Sequence, residues 1–336
     1  IKPDYAEAYY NMGIALKDNG DLDAAIDSYK KALEIKPDYV GAYFNTGNIL
    51  KDTGDLEAAI DSYKKALEIK PDYAEAYNNI GLILKDKGDL EEAINSYKKA
   101  LEIKPDYAEA YNNIGIILQE KSDLVSAIKS YEIAIKIKPD FADAYYNLGN
   151  AHKENSNLKK AISSYKMTLD IQPNSSDAYL NMGIALNNLG DLEAAIICYK
   201  NTLKINPSYT EAYFNMAITL KSQGNLEVAL DNFKQALKIN TNYAPALSQS
   251  HYLASIMSNW SYAKTLEQYL SSDLLDGNLS IYGLLSFEDN PLMHLERASN
   301  LVKSQYKLLP LFNGKSVLKS NRIKVGYFSS YFRQHP

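Results

Sequence analysis

The hydrophobic and polar positions of this chain follow one pattern with a period of 34 residues. The segment AEAYYNMGIALKDNGDLDAAIDSYKKALEIKPDY (6–39) occurs in seven similar copies, which end at Tyr243. Within each copy, apolar residues return every three or four positions in two stretches, which is the spacing of two amphipathic helices. Glycine separates the stretches in five copies, and proline follows the second stretch in six. The pattern therefore predicts seven helical hairpins, at 6–39, 40–73, 74–107, 108–141, 142–175, 176–209 and 210–243.

Small residues and aromatic rings occupy fixed positions of the repeat, counted from its first residue. Position 8 is glycine in six copies and Ala217 in the last, and position 20 is always alanine. Position 24 is tyrosine six times and then Phe233. Small residues let two helices approach closely, and rings fill the space around them. The tyrosines are therefore predicted to pack the hairpins, and a platform for stacking nucleic-acid bases is not expected.

This period, with two helices and these residues, resembles the tetratricopeptide repeat. The resemblance implies an all-α, right-handed superhelical solenoid in which the first helix of each repeat lines a concave groove. Residues 1–5 (IKPDY) match the end of a preceding repeat, so further repeats are expected upstream. Residues 244–321 keep a helical pattern without the repeat template and are interpreted as a cap and connector.

Position 6 of the first helix is asparagine in every repeat: Asn11, Asn45, Asn79, Asn113, Asn147, Asn181 and Asn215. An amide side chain carries donors and an acceptor, so it can pair with both the N–H and the C=O of an extended chain. We call this set the asparagine ladder, and its hypothetical ligand is an extended or unstructured protein segment. Seven near-copies also share a residue through duplication alone, and this interpretation stays open beside the first.

Position 13 carries a second column of polar residues: Asp18, Asp52, Asp86, Glu120 and Glu154. These carboxylates would favour basic or hydroxyl-rich segments in the groove, although a solvated helix face explains them equally well. Positions 5, 6 and 9 carry no lysine or arginine. A cationic clamp for acidic tails is therefore not expected.

Composition excludes several kinds of site. The formal net charge of the 336 residues is -5, which does not favour wholesale nucleic-acid binding. No apolar stretch is long enough for a membrane span, and a cytoplasmic protein is expected. The single cysteine, Cys198, replaces a recurrent serine and is interpreted as a tolerated small residue. The four histidines form no metal motif, so no metal or cofactor is expected within the chain itself. Homo-oligomerisation stays open.

The last residues, RIKVGYFSSYFRQHP (322–336), have the pattern of a strand and a turn. They are similar to the opening of the catalytic region in protein O-linked N-acetylglucosamine transferases, including SPINDLY-like members. That resemblance implies a truncated Rossmann-like α/β domain, with UDP-GlcNAc as sugar donor and Ser or Thr hydroxyls as acceptors. His335 matches the family's active-site histidine, whereas Tyr331 stands where relatives usually have aspartate.

The same resemblance places the residues that hold the nucleotide diphosphate further downstream in the family. The chain is therefore expected to be an inactive fragment that holds the substrate-recognition arm of such an enzyme. Two alternatives stay open. One is a non-enzymatic scaffold for protein–protein interactions, and the other is a SPINDLY-type enzyme that transfers another sugar, such as fucose.

Overall fold

The structure is a computed structural model that describes residues 5–259 and Tyr262. The described residues form fifteen α-helices and no strand. They belong to two compact units, Ile1–Ile239 and Asn240–Pro336. The predicted strand at 322–336, with His335, lies outside the described residues, as does most of the predicted connector.

Fourteen helices of the first unit alternate along the chain as predicted, two to each repeat. The first helices of the repeats are α1 (Ala6–Asp18), α3 (Val40–Thr53), α5 (Ala74–Asp86), α7 (Ala108–Glu120), α9 (Ala142–Glu154), α11 (Ser176–Leu189) and α13 (Thr210–Ser222). The second helices are α2 (Leu22–Ile35), α4 (Leu56–Ile69), α6 (Leu90–Ile103), α8 (Leu124–Ile137), α10 (Leu158–Ile171), α12 (Leu192–Ile205) and α14 (Leu226–Ile239). In the second unit, α15 spans Ala244–Ile256.

The position-24 ring fills the centre of each hairpin. At most 1% of the surface of any of these rings is exposed, for Tyr29, Tyr63, Tyr97, Tyr131, Tyr165, Tyr199 and Phe233. The ring lies directly against the position-8 glycine of the first helix. A Cβ atom at Gly115 would lie 2.5 Å from Cε1 of Tyr131, closer than van der Waals contact permits. In the six repeats with glycine at position 8, the two predicted packing positions therefore form one contact that leaves no room for a side chain.

The turn between the helices of a hairpin needs a left-handed residue at position 15. Gly20 and its counterparts have φ near +85°, as with +84° at Gly20. Asp21 then caps the second helix, its side chain accepting from the N–H of Ala24 at 3.4 Å. In the fourth and fifth repeats, Ser122 (φ 62°) and Ser156 (φ 57°) take the glycine's place and conformation.

Neighbouring repeats pack through both of their helices. Each second helix packs against the first helix of the next repeat, as α8 does against α9. First helices also contact one another directly, as in the α5–α7 and α7–α9 pairs, whereas second helices pack less closely against each other. The first helices therefore lie on the inner side of the stack, which places the asparagine ladder there.

Candidate functional site

The asparagine ladder forms hydrogen bonds between repeats. The side-chain nitrogen of Asn45 donates to the hydroxyl of Tyr10 in the preceding repeat at 3.1 Å. Asn113 donates in the same way to Oδ1 of Asn78 at 3.3 Å. In both cases the acceptor is the position-5 residue of the preceding first helix. These bonds therefore link each of these amides to the repeat before it.

Of the other two central members, Asn147 follows the same rule, whereas Asn79 uses other acceptors of the preceding repeat. Asn147 donates to Oδ1 of Asn112, one repeat earlier, at 3.0 Å. For Asn79, the position-5 residue of the preceding repeat is Phe44, which offers no acceptor. Asn79 therefore donates to Oδ1 of Asn48 at 2.9 Å and to the hydroxyl of Tyr63 at 3.3 Å. Each amide is thus oriented by the repeat before it, with its nitrogen turned toward that repeat.

The two ends of the ladder differ from its middle. Asn11 is exposed. Asn215 donates to the backbone oxygen of Glu211 within its own helix at 2.8 Å. Asn181 donates to the hydroxyl of Tyr146 at 2.9 Å, and its Oδ1 accepts from Lys153. The central members, from Asn45 to Asn147, therefore form the regular part of the ladder.

This orientation changes what the ladder offers a ligand. The sequence-based hypothesis assigned both donors and acceptor of each amide to the bound chain. In the structure, Asn45, Asn79, Asn113 and Asn147 direct nitrogen to the scaffold, and no bond within the described residues occupies their Oδ1 atoms. An amide oxygen has two acceptor sites. The central ladder is therefore a row of oriented acceptors, which suits the N–H groups of an extended chain.

The position-13 carboxylates are exposed in all five repeats that carry them. In the second and third repeats each lies beside the preceding lysine: Lys51 Nζ is 3.6 Å from Asp52 Oδ1, and Lys85 Nζ is 3.6 Å from Asp86 Oδ1. The fourth repeat has Gln119 in place of this lysine. Part of the predicted acidic column is thus paired with cations, and its charge is least compensated around the fourth repeat.

A cavity of about 410 Å³ opens at this place, and it joins the two predicted columns. Its surface combines polar and apolar parts, and it is lined by Ile116, Gln119, Glu120, Tyr131, Asn147, Asn150 and Glu154. The Tyr131 hydroxyl donates to Gln119 Oε1 at 3.0 Å, and Gln119 Nε2 donates to Glu154 Oε1 at 2.6 Å. Two carboxylates, a ladder amide and an apolar surface therefore meet in one pocket.

The sequence pattern did not single out the residues that orient the ladder. Asn78 and Asn112 are buried, with 5% and 6% of their surfaces exposed. Asn150 accepts from the hydroxyl of Tyr165 at 2.8 Å, as Asn48 does from the tyrosine of its own repeat. These residues occur at positions 5 and 9 in only some repeats, so the period alone gives no reason to select them. The paired asparagines in YNNIG were the available signal.

The single cysteine, Cys198, is buried. Burial raises the pKa of the Cys198 thiol to about 11, so the thiolate is disfavoured, in keeping with a packing role. Within residues 5–259, no three His, Cys, Asp or Glu side chains are grouped as metal ligands would be. None of the helices in that part of the chain combines the length and apolarity needed to cross a bilayer.

The geometry defines an α-helical repeat protein whose polar ladder lies on the inner helices. Family models described as "TPR repeat" and "Tetratricopeptide repeat" match it without a gap from residue 6 to residue 242: residues 6–39, 28–61, 47–88, 81–122, 120–156, 142–175 and 174–242. The chain belongs to the tetratricopeptide-repeat proteins. No curated protein matches the sequence.

Solved structures support the same assignment. YrrB, described as a TPR protein with an unusual peptide-binding site, is similar at 26% identity, with a TM-score of 0.50 over 56% of this chain and 97% of YrrB. PilF of Pseudomonas aeruginosa matches at 20% identity and a TM-score of 0.56, over 62% of this chain and 94% of PilF. Part of a TPR protein from Cytophaga hutchinsonii matches at 19% identity and a TM-score of 0.58, over 71% and 98%. The last two bear on the fold alone.

Proposed function

We propose that this protein binds extended protein segments along its first helices and reads their backbone through the asparagine ladder. The observation that carries this is the row of oriented oxygens from Asn45 to Asn147, each with its nitrogen held by the preceding repeat. First helices packed about 8–10 Å apart would present one oxygen to roughly every third residue of a strand that rises about 3.3 Å per residue. Backbone contacts of this kind favour broad, weak recognition of unstructured segments. The peptide-binding site of YrrB supports the proposal by similarity.

The test is the triple variant Asn79→Ala, Asn113→Ala and Asn147→Ala, titrated with an unstructured Ser/Thr-rich peptide. Removing three contacts of about 1 kcal/mol or less each is expected to weaken binding by about tenfold to a hundredfold. Fluorescence anisotropy with the full chain measures the affinity, and circular dichroism checks that the helices remain. An unchanged affinity would remove the ladder from the binding site.

A matched control separates a direct role of the ladder in peptide binding from a role in stabilising the stack of repeats. Asn48→Ala, Asn78→Ala and Asn112→Ala delete the acceptors of the same three inter-repeat bonds but leave the ladder oxygens in place. This control is expected to lose stability and, because the ladder oxygens are present but no longer held in place, to lose less affinity than the first triple at a temperature where it is folded. Equal loss of affinity in both triples would show that the ladder acts only by supporting the stack.

The acidic column adds a preference to this groove. Glu120 and Glu154 share the 410 Å³ cavity with Asn147, which favours basic or hydroxyl-rich segments there. The same titration with paired peptides that carry Arg or its uncharged analogue citrulline tests the preference. Equal affinities at low salt, where exposed charges act most strongly, would refute it.

A second candidate function rests on the sequence at 322–336. Its similarity to the opening of O-linked N-acetylglucosamine transferases supports a role for the repeats as the substrate-recognition arm of such an enzyme in the cytoplasm. UDP-GlcNAc would be the donor, and Ser or Thr hydroxyls the acceptors. A SPINDLY-type enzyme for another sugar, such as fucose, and a non-enzymatic scaffold are the competing proposals.

This candidate is tested on a protein in which the reading frame continues past Pro336. Two further α/β halves are expected there, with transfer of N-acetylglucosamine from UDP-GlcNAc to a bound peptide. His335→Ala is expected to lower that transfer by about a hundredfold, as for a group that assists proton transfer, and to leave peptide affinity unchanged. Absence of the two halves would end the enzyme proposal, and fucose transfer alone would favour the SPINDLY-type enzyme.

A further inference from the structure

Asn181 differs from the central members of the ladder because its oxygen as well as its nitrogen is engaged. Its nitrogen donates to the hydroxyl of Tyr146 at 2.9 Å and to the backbone oxygen of Asp177 at 3.1 Å. Its Oδ1 accepts from Nζ of Lys153 at 2.5 Å. Both N–H groups are therefore used, and the oxygen carries a charge-assisted bond, which is stronger than a neutral one. A passing peptide N–H would find one of the two acceptor sites of this oxygen taken, and the positive charge of the ammonium beside the other would disfavour a second donor.

Lys153 reaches Asn181 because its neighbouring carboxylate is already occupied. The corresponding lysine of the third repeat, Lys85, lies 3.6 Å from the adjacent Asp86. In the fifth repeat the adjacent carboxylate is Glu154, and Gln119 donates to it at 2.6 Å. The replacement of lysine by glutamine in the fourth repeat therefore has a consequence two repeats later.

The surroundings of Lys153 hold it in this position. Its side chain is half-buried, and burial lowers the pKa of its ammonium group. No carboxylate in the described residues lies within ion-pair distance of Nζ. A desolvated ammonium without an ion pair depends strongly on the acceptors that remain. The Asn181 oxygen is such an acceptor, which makes the contact costly to break.

We propose that Lys153 closes the asparagine ladder at the sixth repeat, so that a bound segment is read by Asn45 to Asn147 and passes Asn181 without a bond. This inference rests on the proposed peptide-binding function and defines the length of chain it reads. The ligand is an unstructured segment recognised through its N–H donors. Lys153 acts on it indirectly, as a positioning residue that withholds one acceptor.

The experiment is a double-mutant cycle on the full chain, with an unstructured Ser/Thr-rich peptide long enough to pass all seven repeats. In the wild-type background, Asn147→Ala is expected to weaken binding about threefold and Asn181→Ala to leave it unchanged. Lys153→Met removes the ammonium and keeps an unbranched stem. In that background binding is expected to be tighter by about threefold, and Asn181→Ala should now cancel the gain.

Two further variants show whether the gain is specific. Gln119→Lys introduces the lysine that five other repeats carry at this position and releases Glu154, so the Asn181 oxygen should become available without any change at Lys153 itself. Lys85→Met removes the corresponding lysine of the third repeat, which is paired with Asp86, and should leave the effect of Asn113→Ala unchanged. A length series provides a second readout, because the length at which affinity stops rising should increase by about three residues in Lys153→Met.

The outcomes distinguish failure of this inference from failure of the proposed peptide-binding function. If Asn181→Ala weakens wild-type binding as much as Asn147→Ala does, the ladder is open at the sixth repeat and the role of Lys153 is refuted. If Lys153→Met and Lys85→Met tighten binding equally, a general charge effect replaces it. If Asn147→Ala also has no effect, peptide binding by the ladder fails, and this inference fails with it.

Discussion

Gly115→Ala is expected to lower the free energy of unfolding by about 2 kcal/mol. The added methyl group would lie 2.5 Å from Cε1 of Tyr131, whose ring is fully buried. Overpacking of this kind costs about 1–3 kcal/mol or more, and the better helix propensity of alanine offsets only about 1 kcal/mol of it. Urea unfolding of the two proteins, followed by circular dichroism, measures the difference.

Two other sites of the same chain serve as controls. At Gly88, where φ is +85° and no atom lies within 4 Å of an added Cβ, alanine should cost only the backbone term of about 1–2 kcal/mol. In the last repeat the pair is already Ala217 and Phe233, so Ala217→Gly should not stabilise the protein. A gain in stability from Gly115→Ala would contradict the contact between positions 8 and 24.

His152→Leu is expected to raise the free energy of unfolding by about 2 kcal/mol at neutral pH. His152 occupies position 11, which is leucine in the other repeats, and only 5% of its surface is exposed. Its Nδ1 has no hydrogen-bond partner within the described part of the chain. A buried polar atom without a partner costs about 1–3 kcal/mol, and leucine removes that cost. Chemical denaturation at pH 7 measures the gain.

The gain should depend on pH in a known direction. Burial lowers the pKa of the His152 imidazole below its ordinary value, and nearby Lys160 lowers it further. In the unfolded chain the pKa is near 6.5, so below that pH the unfolded state binds the proton first and the wild type loses stability. The advantage of His152→Leu should therefore grow between about pH 7 and 5. A constant difference across that range would contradict the buried neutral histidine, and Leu118→His should introduce the same sensitivity in the fourth repeat.

Much of the fold could be predicted from the period of the sequence. Position 8 and position 24 recur in contact with each other, so their small and aromatic residues specified the interior of every hairpin. The proline after six of the second helices and the glycine at position 15 of five repeats marked the helix ends. The serines at 122 and 156 show the limit of this prediction, because the turn keeps its left-handed geometry even where its usual residue is absent.

The orientation of the candidate site could not be predicted in the same way. Every repeat has an asparagine at position 6, but what its nitrogen contacts depends on positions 5 and 9 of the repeat before, which vary. The acceptors are supplied by Tyr10, Asn48, Asn78 and Asn112. Only the packing of neighbouring repeats brings them within hydrogen-bond distance of the ladder. The hydrogen bonds of Asn181 to Lys153 and Tyr146 join residues that are 28 and 35 positions apart in the sequence. A repeat pattern shows which residues recur, whereas a binding site also depends on the places where the copies differ.

The central claim is that ladder oxygens accept hydrogen bonds from the backbone of a bound segment. Replacing single amide bonds of an unstructured peptide by esters removes N–H donors and leaves every side chain unchanged. Isothermal titration of such a peptide series with the wild-type chain should show losses of about threefold to tenfold, recurring roughly every third residue. The triple variant of Asn79, Asn113 and Asn147 should lose that dependence. Equal affinity of all esters and the parent peptide for the wild-type chain would contradict the account.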